Sequence, residues 1–110
     1  MKYSIATVCL SGTLEQKMHA AAKAGFHAIE IFENDLTQYR GSAADVKRIA
    51  DSMGLDILVL QPFRDMEGMP QELRRKKYKM MERKMELAHQ LGTKRLMMCS
   101  NVNPLSTNNL

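Results

Sequence analysis

Short apolar runs alternate along this chain with longer stretches in which apolar residues recur at helical spacing. The runs are residues 3–8, 26–32, 55–60 and 94–99, and each reads as a short, largely apolar strand. Between them, Leu14, Met18, Ala21 and Ala22 fall on one helix face, as do Val46, Ile49, Ala50 and Met53. A third, longer stripe runs through Leu73, Met80, Met81, Leu87, Ala88 and Leu91. Lys84 sits inside that stripe and is expected to lay its stem on apolar surface while its ammonium reaches water. Thr13 with Gln16, and Ser42 with Asp45, have the spacing of helix N-terminal caps. Pro70 suits the first position of the third helix. Residues 33–41 read as a polar loop.

Each helical stretch ends at a glycine, and a strand follows at once. The glycines are Gly25, Gly54 and Gly92, 29 and then 38 residues apart. A glycine there lets the chain take the left-handed conformation that closes a helix. The order is βαβαβαβ, with right-handed crossovers expected to lay each helix on a parallel sheet. Residues 1–103 make one domain and residues 104–110 an irregular polar tail. Two architectures fit: part of a (β/α) barrel, with strands in the order 1-2-3-4, or a small doubly wound sheet, with strand one between two and three. In either, function belongs to the loops leaving the carboxyl ends of the strands.

Composition changes this picture little. The chain has 110 residues, 45% hydrophobic and 25% charged, with ten methionines and no tryptophan, enough for a packed if adaptable core. The net charge of +4 comes from one helix: residues 71–92 carry seven Lys/Arg and three Glu, leaving nine of each sign elsewhere. That run reads as a solvated helix face. With no aromatic interleaving it does not point to nucleic acid. Cys9 and Cys99 are too few for a disulfide framework and read as free, mostly buried thiols. No stretch approaches a membrane span and the N-terminus shows no leader pattern, so the expected location is the cytoplasm.

The chemistry belongs to the strand ends: Cys9 after strand one, Glu30, Phe32 and Glu33 at the end of strand two, Gln61 and Arg64 at strand three, and Cys99, Ser100 and Asn101 at strand four. Arg64, just past a parallel strand in a loop with proline and glycine, can grip a carboxylate or phosphate bidentately, or else pair with Asp65 or Glu67. Glu30 can point to a ligand, or be a buried carboxylate bonded to its neighbours. His19, His27 and His89 lie away from the strand ends and read as structural or solvent-facing. Metal-ligand, nucleophile-elbow and phosphate-loop motifs are missing, and no catalytic or metal residue is assigned.

Specific stretches go further. Residues 4–8 with Leu10-Ser11-Gly12-Thr13-Leu14, Ala24-Gly25-Phe26 leading to Ile29-Glu30-Ile31-Phe32-Glu33-Asn34-Asp35-Leu36, Gln61-Pro62-Phe63-Arg64-Asp65 with Glu67-Gly68-Met69-Pro70, and Cys99-Ser100-Asn101-Val102 together resemble the start of the bacterial 3-dehydroshikimate dehydratases. These belong to the sugar phosphate isomerase/epimerase-like, xylose isomerase-type barrels, and the likeness covers residues 1–104. It implies a partial (β/α)₈ TIM barrel of about four parallel strands and three helices. It also implies a metal-dependent lyase that turns 3-dehydroshikimate into protocatechuate in quinate and shikimate breakdown, using Mg, Mn or Co. In that family the metal ligands and the catalytic histidine come from the second half of the barrel. This chain by itself is therefore expected to bind no metal and to be inactive. Its implied substrate contacts are Arg64, Gln61, Glu30, Ser100 and Asn101. The alternatives are a sugar phosphate or hydroxypyruvate isomerase of the same superfamily, or a non-catalytic α/β unit. With strands one and four unpaired at their outer edges, a homo-oligomer is expected. Ile5, Thr7, Ile29, Ile31, Ile57, Val59, Leu96 and Met98 would supply some of the open face.

Overall fold

In the computed structural model, which describes residues 1–106, the chain forms a four-stranded parallel sheet with helices on one face. The elements are β1 (Ser4–Ala6), α1 (Leu14–Lys23), β2 (Ala28–Phe32), α2 (Glu33–Gln38), α3 (Ala43–Ser52), β3 (Asp56–Phe63), α4 (Gln71–Gln90) and β4 (Leu96–Met98). A 3-10 turn, Thr7–Cys9, follows β1. Residues 107–110, the end of the expected tail, lie outside the described residues.

The strands are ordered β1-β2-β3-β4, all parallel, which selects the barrel arc over the doubly wound sheet. The three glycine junctions are built alike. At the first, Phe26 N–H donates to the Ala21 carbonyl and Gly25 N–H to that of Ala22. At the second, the pairs are Leu55 to Ala50 and Gly54 to Asp51; at the third, Thr93 to Ala88 and Gly92 to His89. This pairing requires a left-handed residue at the glycine, and Gly25 (φ 89°) and Gly54 (φ 68°) supply it. Both expected caps form reciprocally, Thr13 with Gln16 and Ser42 with Asp45. Pro70 is the cap residue itself, one position before the helix, and its carbonyl accepts from Leu73 and Arg74 N–H.

The core lies between the sheet and the helices. Leu14, Met18 and Ala21 of α1, Val46 and Ala50 of α3, and Ala88 of α4 meet Ile29, Ile31, Ile57, Leu60 and Phe63. This corrects the expected open face for four of its eight residues. Ile29 and Ile31 are 0% exposed and Ile57 8%, so they point to the helices, and Thr7 is also buried. Strand alternation fixes only which residues share a face; the sheet buried that set because the helices need it. The register explains the rest. Ile29 pairs with Ile57 but Glu30 pairs with Val59, so Leu58 is an extra residue in β3. Thr93 Oγ1 donates to the Leu58 carbonyl at 2.6 Å. Beyond that bulge, Glu30, Val59 and Gln61 share the face turned away from the helices.

Three further differences concern ends. The expected loop 33–41 contains α2, anchored by buried Leu36. β1 is shorter than residues 3–8, because Thr7 turns inward to accept the Phe32 N–H at 2.9 Å. That turn leaves Cys9 exposed, and Cys99 is half-buried, so neither thiol is the buried one expected.

Candidate functional site

The carboxyl ends of the strands carry the 3-10 turn after β1, α2 after β2, the loop 64–70 after β3 and residues 99–106 after β4. Two of the expected contacts meet directly. Phe32 pairs with Gln61, which places Gln61 diagonally across from Glu30 on the face away from the helices. Gln61 Nε2 stands 3.5 Å from Glu30 Oε2, a long hydrogen bond between two half-buried side chains. Both are open to further partners on that face.

Arg64, Ser100 and Asn101 lie on the two neighbouring loops, and no hydrogen bond among the described residues joins them to the Glu30–Gln61 pair. Arg64 and Ser100 are exposed. The Arg64 guanidinium forms no ion pair among the described residues, so the alternative reading of a loop salt bridge to Asp65 or Glu67 is not seen there. The Asn101 amide is already committed: Nδ2 donates to the Glu67 carbonyl at 2.6 Å and to Ser106 Oγ at 2.8 Å. Its side-chain carbonyl oxygen has no hydrogen bond among the described residues.

Asp65 carries no site signal in the sequence beyond its place beside Arg64. Its carboxylate accepts from the backbone N–H of Val102 (2.8 Å) and Asn103 (2.9 Å), binding the β3–α4 loop to the segment after β4. Its pKa lies below the ordinary carboxylate value, chiefly because of the Asn103 N–H. Burial opposes this, while the Val102 N–H and the charges of Lys77 and Arg64 add to it. Buried Met66 and Met69 anchor the same loop from below.

Lys84 does not snorkel outward. Its side chain, 12% exposed, turns under the strand ends: Nζ lies 2.5 Å from Glu33 Oε2, donates to the Pro62 carbonyl at 3.2 Å and sits 4.8 Å over the Phe63 ring. A second cation, Lys17 on α1, is buried against Asp35 of α2, with Nζ 2.9 and 3.0 Å from its two oxygens. The available sequence signal was the same in both cases, a lysine inside an apolar stripe. Strand-end carbonyls and carboxylates offer such a cation a partner nearer than water. Of the rest of the basic run, Arg74, Arg75, Lys76, Lys79 and Arg83 face solvent as expected and Lys77 is half-buried.

Beside this end, between the start of α1 and α2, a cleft of about 470 Å³ is lined by residues including Thr13, Gln16, Asp35, Tyr39 and Arg40. Among the described residues no three His, Cys, Asp or Glu side chains converge to hold a metal. No helix among them is long and apolar enough to cross a membrane.

Comparison with known proteins extends this geometry. The profile described as xylose isomerase-like TIM barrel matches residues 18–108. A 3-dehydroshikimate dehydratase of Pseudomonas aeruginosa is 52% identical over 102 residues, 93% of this chain and 16% of that protein. One of Pseudomonas putida is 48% identical over the same shares. The chain thus spans about a sixth of the length of these curated relatives. Among solved structures, a xylose isomerase-like TIM barrel/4-hydroxyphenylpyruvate dioxygenase fusion protein superposes with a TM-score of 0.94 at 45% identity, over 99% of this chain and 18% of the other. The IolI protein, whose structure holds a zinc atom, superposes at 0.80 with 19% identity, over 89% of this chain and 37% of the other, a likeness of fold.

Proposed function

The chain belongs to the xylose isomerase-like TIM barrel family, and from that membership we propose that it forms the first four strands of a 3-dehydroshikimate dehydratase barrel. The observation that carries this reading is the identity of 52% and 48% to two curated dehydratases over 93% of the chain. The reaction is a lyase step in cytoplasmic quinate and shikimate breakdown. A proton leaves the carbon next to the ketone, hydroxide is expelled, and net loss of one water gives aromatic protocatechuate.

In this reading the chain binds and orients substrate. Arg64 offers a planar fork of donors to the substrate carboxylate. Glu30 and Gln61, side by side on the open face, accept from and donate to ring hydroxyls, with Ser100 and the Asn101 carbonyl along the neighbouring loop. A divalent metal, Mg, Mn or Co, is part of the proposal for the whole enzyme. The zinc-bearing fold relative supports it, and the chemistry it would supply is polarisation of the ketone. The described residues do not converge on such an ion, so its ligands would come from outside these four strands. The chain alone is accordingly proposed to be inactive and to self-associate along the outer edges of β1 and β4.

A hybrid tests the reading. Residues 1–104 replace the matching segment of the P. aeruginosa relative, and protocatechuate formation from 3-dehydroshikimate is followed by ultraviolet absorbance. Turnover close to that of the parent enzyme is expected, and a folded hybrid without turnover refutes the reading. The isolated 110-residue chain, given Mg²⁺, Mn²⁺ or Co²⁺, is expected to stay at background; clear turnover would overturn that part.

A further inference from the structure

The β3–α4 loop and the segment after β4 diverge beyond the last ladder bond, Cys99 N–H to the Phe63 carbonyl at 2.7 Å. Past that point three hydrogen bonds, all donated by the segment after β4 and accepted by the β3–α4 loop, hold them together. Asp65 on the first loop accepts the Val102 and Asn103 N–H groups, and Asn101 on the second donates to the Glu67 carbonyl. The two loops carry the proposed contacts: Arg64 on one, Ser100 and Asn101 on the other. Asp65 also sits at a φ of 57°, a left-handed conformation that side-chain-bearing residues adopt at a cost, though aspartate is among those that tolerate it best. Strain of this kind persists only where surrounding contacts over-determine it, and it gathers at ligand-holding sites.

We propose that Asp65 is a positioning residue for the anionic substrate: by clasping the strand-four segment to the strand-three loop, it makes Arg64 and Ser100 present their donors to one and the same ligand carboxylate. The proposal rests on the dehydratase reading above. It requires no contact between Asp65 and the substrate, which like charge would oppose. The carboxylate is turned to the backbone of residues 102 and 103. The adjacent guanidinium is left unpaired among the described residues.

The test uses the hybrid enzyme of the preceding subsection with Asp65→Gly, Asp65→Asn and Asp65→Ala. Asp65→Gly removes the clasp while relieving the left-handed backbone, so folding is retained. The expected result is a KM for 3-dehydroshikimate raised about tenfold with kcat within about threefold, because a binding contact is misplaced while the chemistry is not. Asp65→Asn keeps an acceptor oxygen and tolerates the backbone, and should recover most of the loss; Asp65→Ala should be the worst of the three. Hydrogen exchange of the Val102 and Asn103 amides reports the clasp directly and should quicken in Asp65→Gly. Faster exchange with an unchanged KM in an active hybrid would make the clasp purely structural and overturn the proposal alone. An unmutated hybrid without turnover would remove the dehydratase reading and the clasp's role with it.

Discussion

Replacing Lys17 with methionine should cost this chain about 3 kcal/mol of stability, although it swaps a charged side chain for an apolar one at a buried position. The Lys17 ammonium lies 2.9 and 3.0 Å from the two oxygens of Asp35, and the side chains are 8% and 12% exposed. At an effective dielectric of about 20, charges at that separation attract by roughly 5–6 kcal/mol. Desolvating each ion costs several kcal/mol, so the intact pair nets little. Lys17→Met removes the attraction but leaves the desolvation of Asp35. Breaking a buried pair on one side costs about 3–5 kcal/mol, and the residual water access of Asp35 argues for the lower end. Folded domains are stable by only about 5–15 kcal/mol, so the change should lower Tm by more than ten degrees, at about 4 °C per kcal/mol for a chain of this size. Lys17→Met combined with Asp35→Leu removes both charges at similar volume and should return most of the loss. Urea unfolding followed by far-ultraviolet circular dichroism measures all three proteins, provided their m-values agree. A cost below about 1 kcal/mol for Lys17→Met would refute the reasoning, and so would a double variant no more stable than Lys17→Met alone. Either result would mean that water reaches the pair as it does at a surface.

Arg64→Ala in the hybrid enzyme should lower kcat/KM at least about tenfold, since a charge-assisted contact of this type is worth on the order of 1.5–3 kcal/mol; an unchanged value would remove Arg64 from the site. The clasp should depend on pH. Asp65 titrates below its ordinary value, so its contribution is complete above that value and is lost as pH falls through the folded-state pKa. Protection of the Val102 and Asn103 amides should therefore collapse only in strong acid, and loss near neutrality would contradict the assignment. Gly54→Ala should destabilise by about 1 kcal/mol by thermal melting. An added Cβ meets nothing within 4 Å, so only the left-handed backbone is at issue, and a neutral effect would contradict that account. Light scattering coupled to gel filtration should find the isolated chain as a dimer or larger, because β1 and β4 each pair on one side only among the described residues. A monomer at tens of micromolar would count against association along those edges.

Much of the architecture is written locally. The helix stripes, the two capping pairs and the glycine junctions depend on contacts within five residues, and the backbone bonds at Gly25, Gly54 and Gly92 repeat one pattern. A local rule of this kind can be read from spacing. The strand order cannot: periodicity allowed both a barrel arc and a doubly wound sheet, and only likeness to known sequences favoured the first before the sheet itself decided it. The inward face of β2 and β3 was likewise undetermined, because alternation says which residues share a side and not which side the helices cover. The bulge at Leu58 and the inward turn of Thr7 depend on partners 35 and 25 residues away.

The site divides along the same line. Which residue types stand at the strand ends followed from the order of elements, and Glu30 and Gln61 could be named from it. That they touch, that Asn101 spends its amide on the Glu67 carbonyl, and that Asp65 rather than Arg64 finds a partner were decided by where two loops come together. Lys17 and Lys84 make the point most plainly. A lysine on an apolar stripe has a long enough stem to reach water or a buried anion, and its sequence neighbours do not distinguish the two. The choice rests on Asp35 and Glu33, brought beside those lysines only when α2 settles at the carboxyl end of β2. A charge's energy depends on the position of its counter-charge in space, and that position is fixed by the whole sheet rather than by the segment that carries the charge.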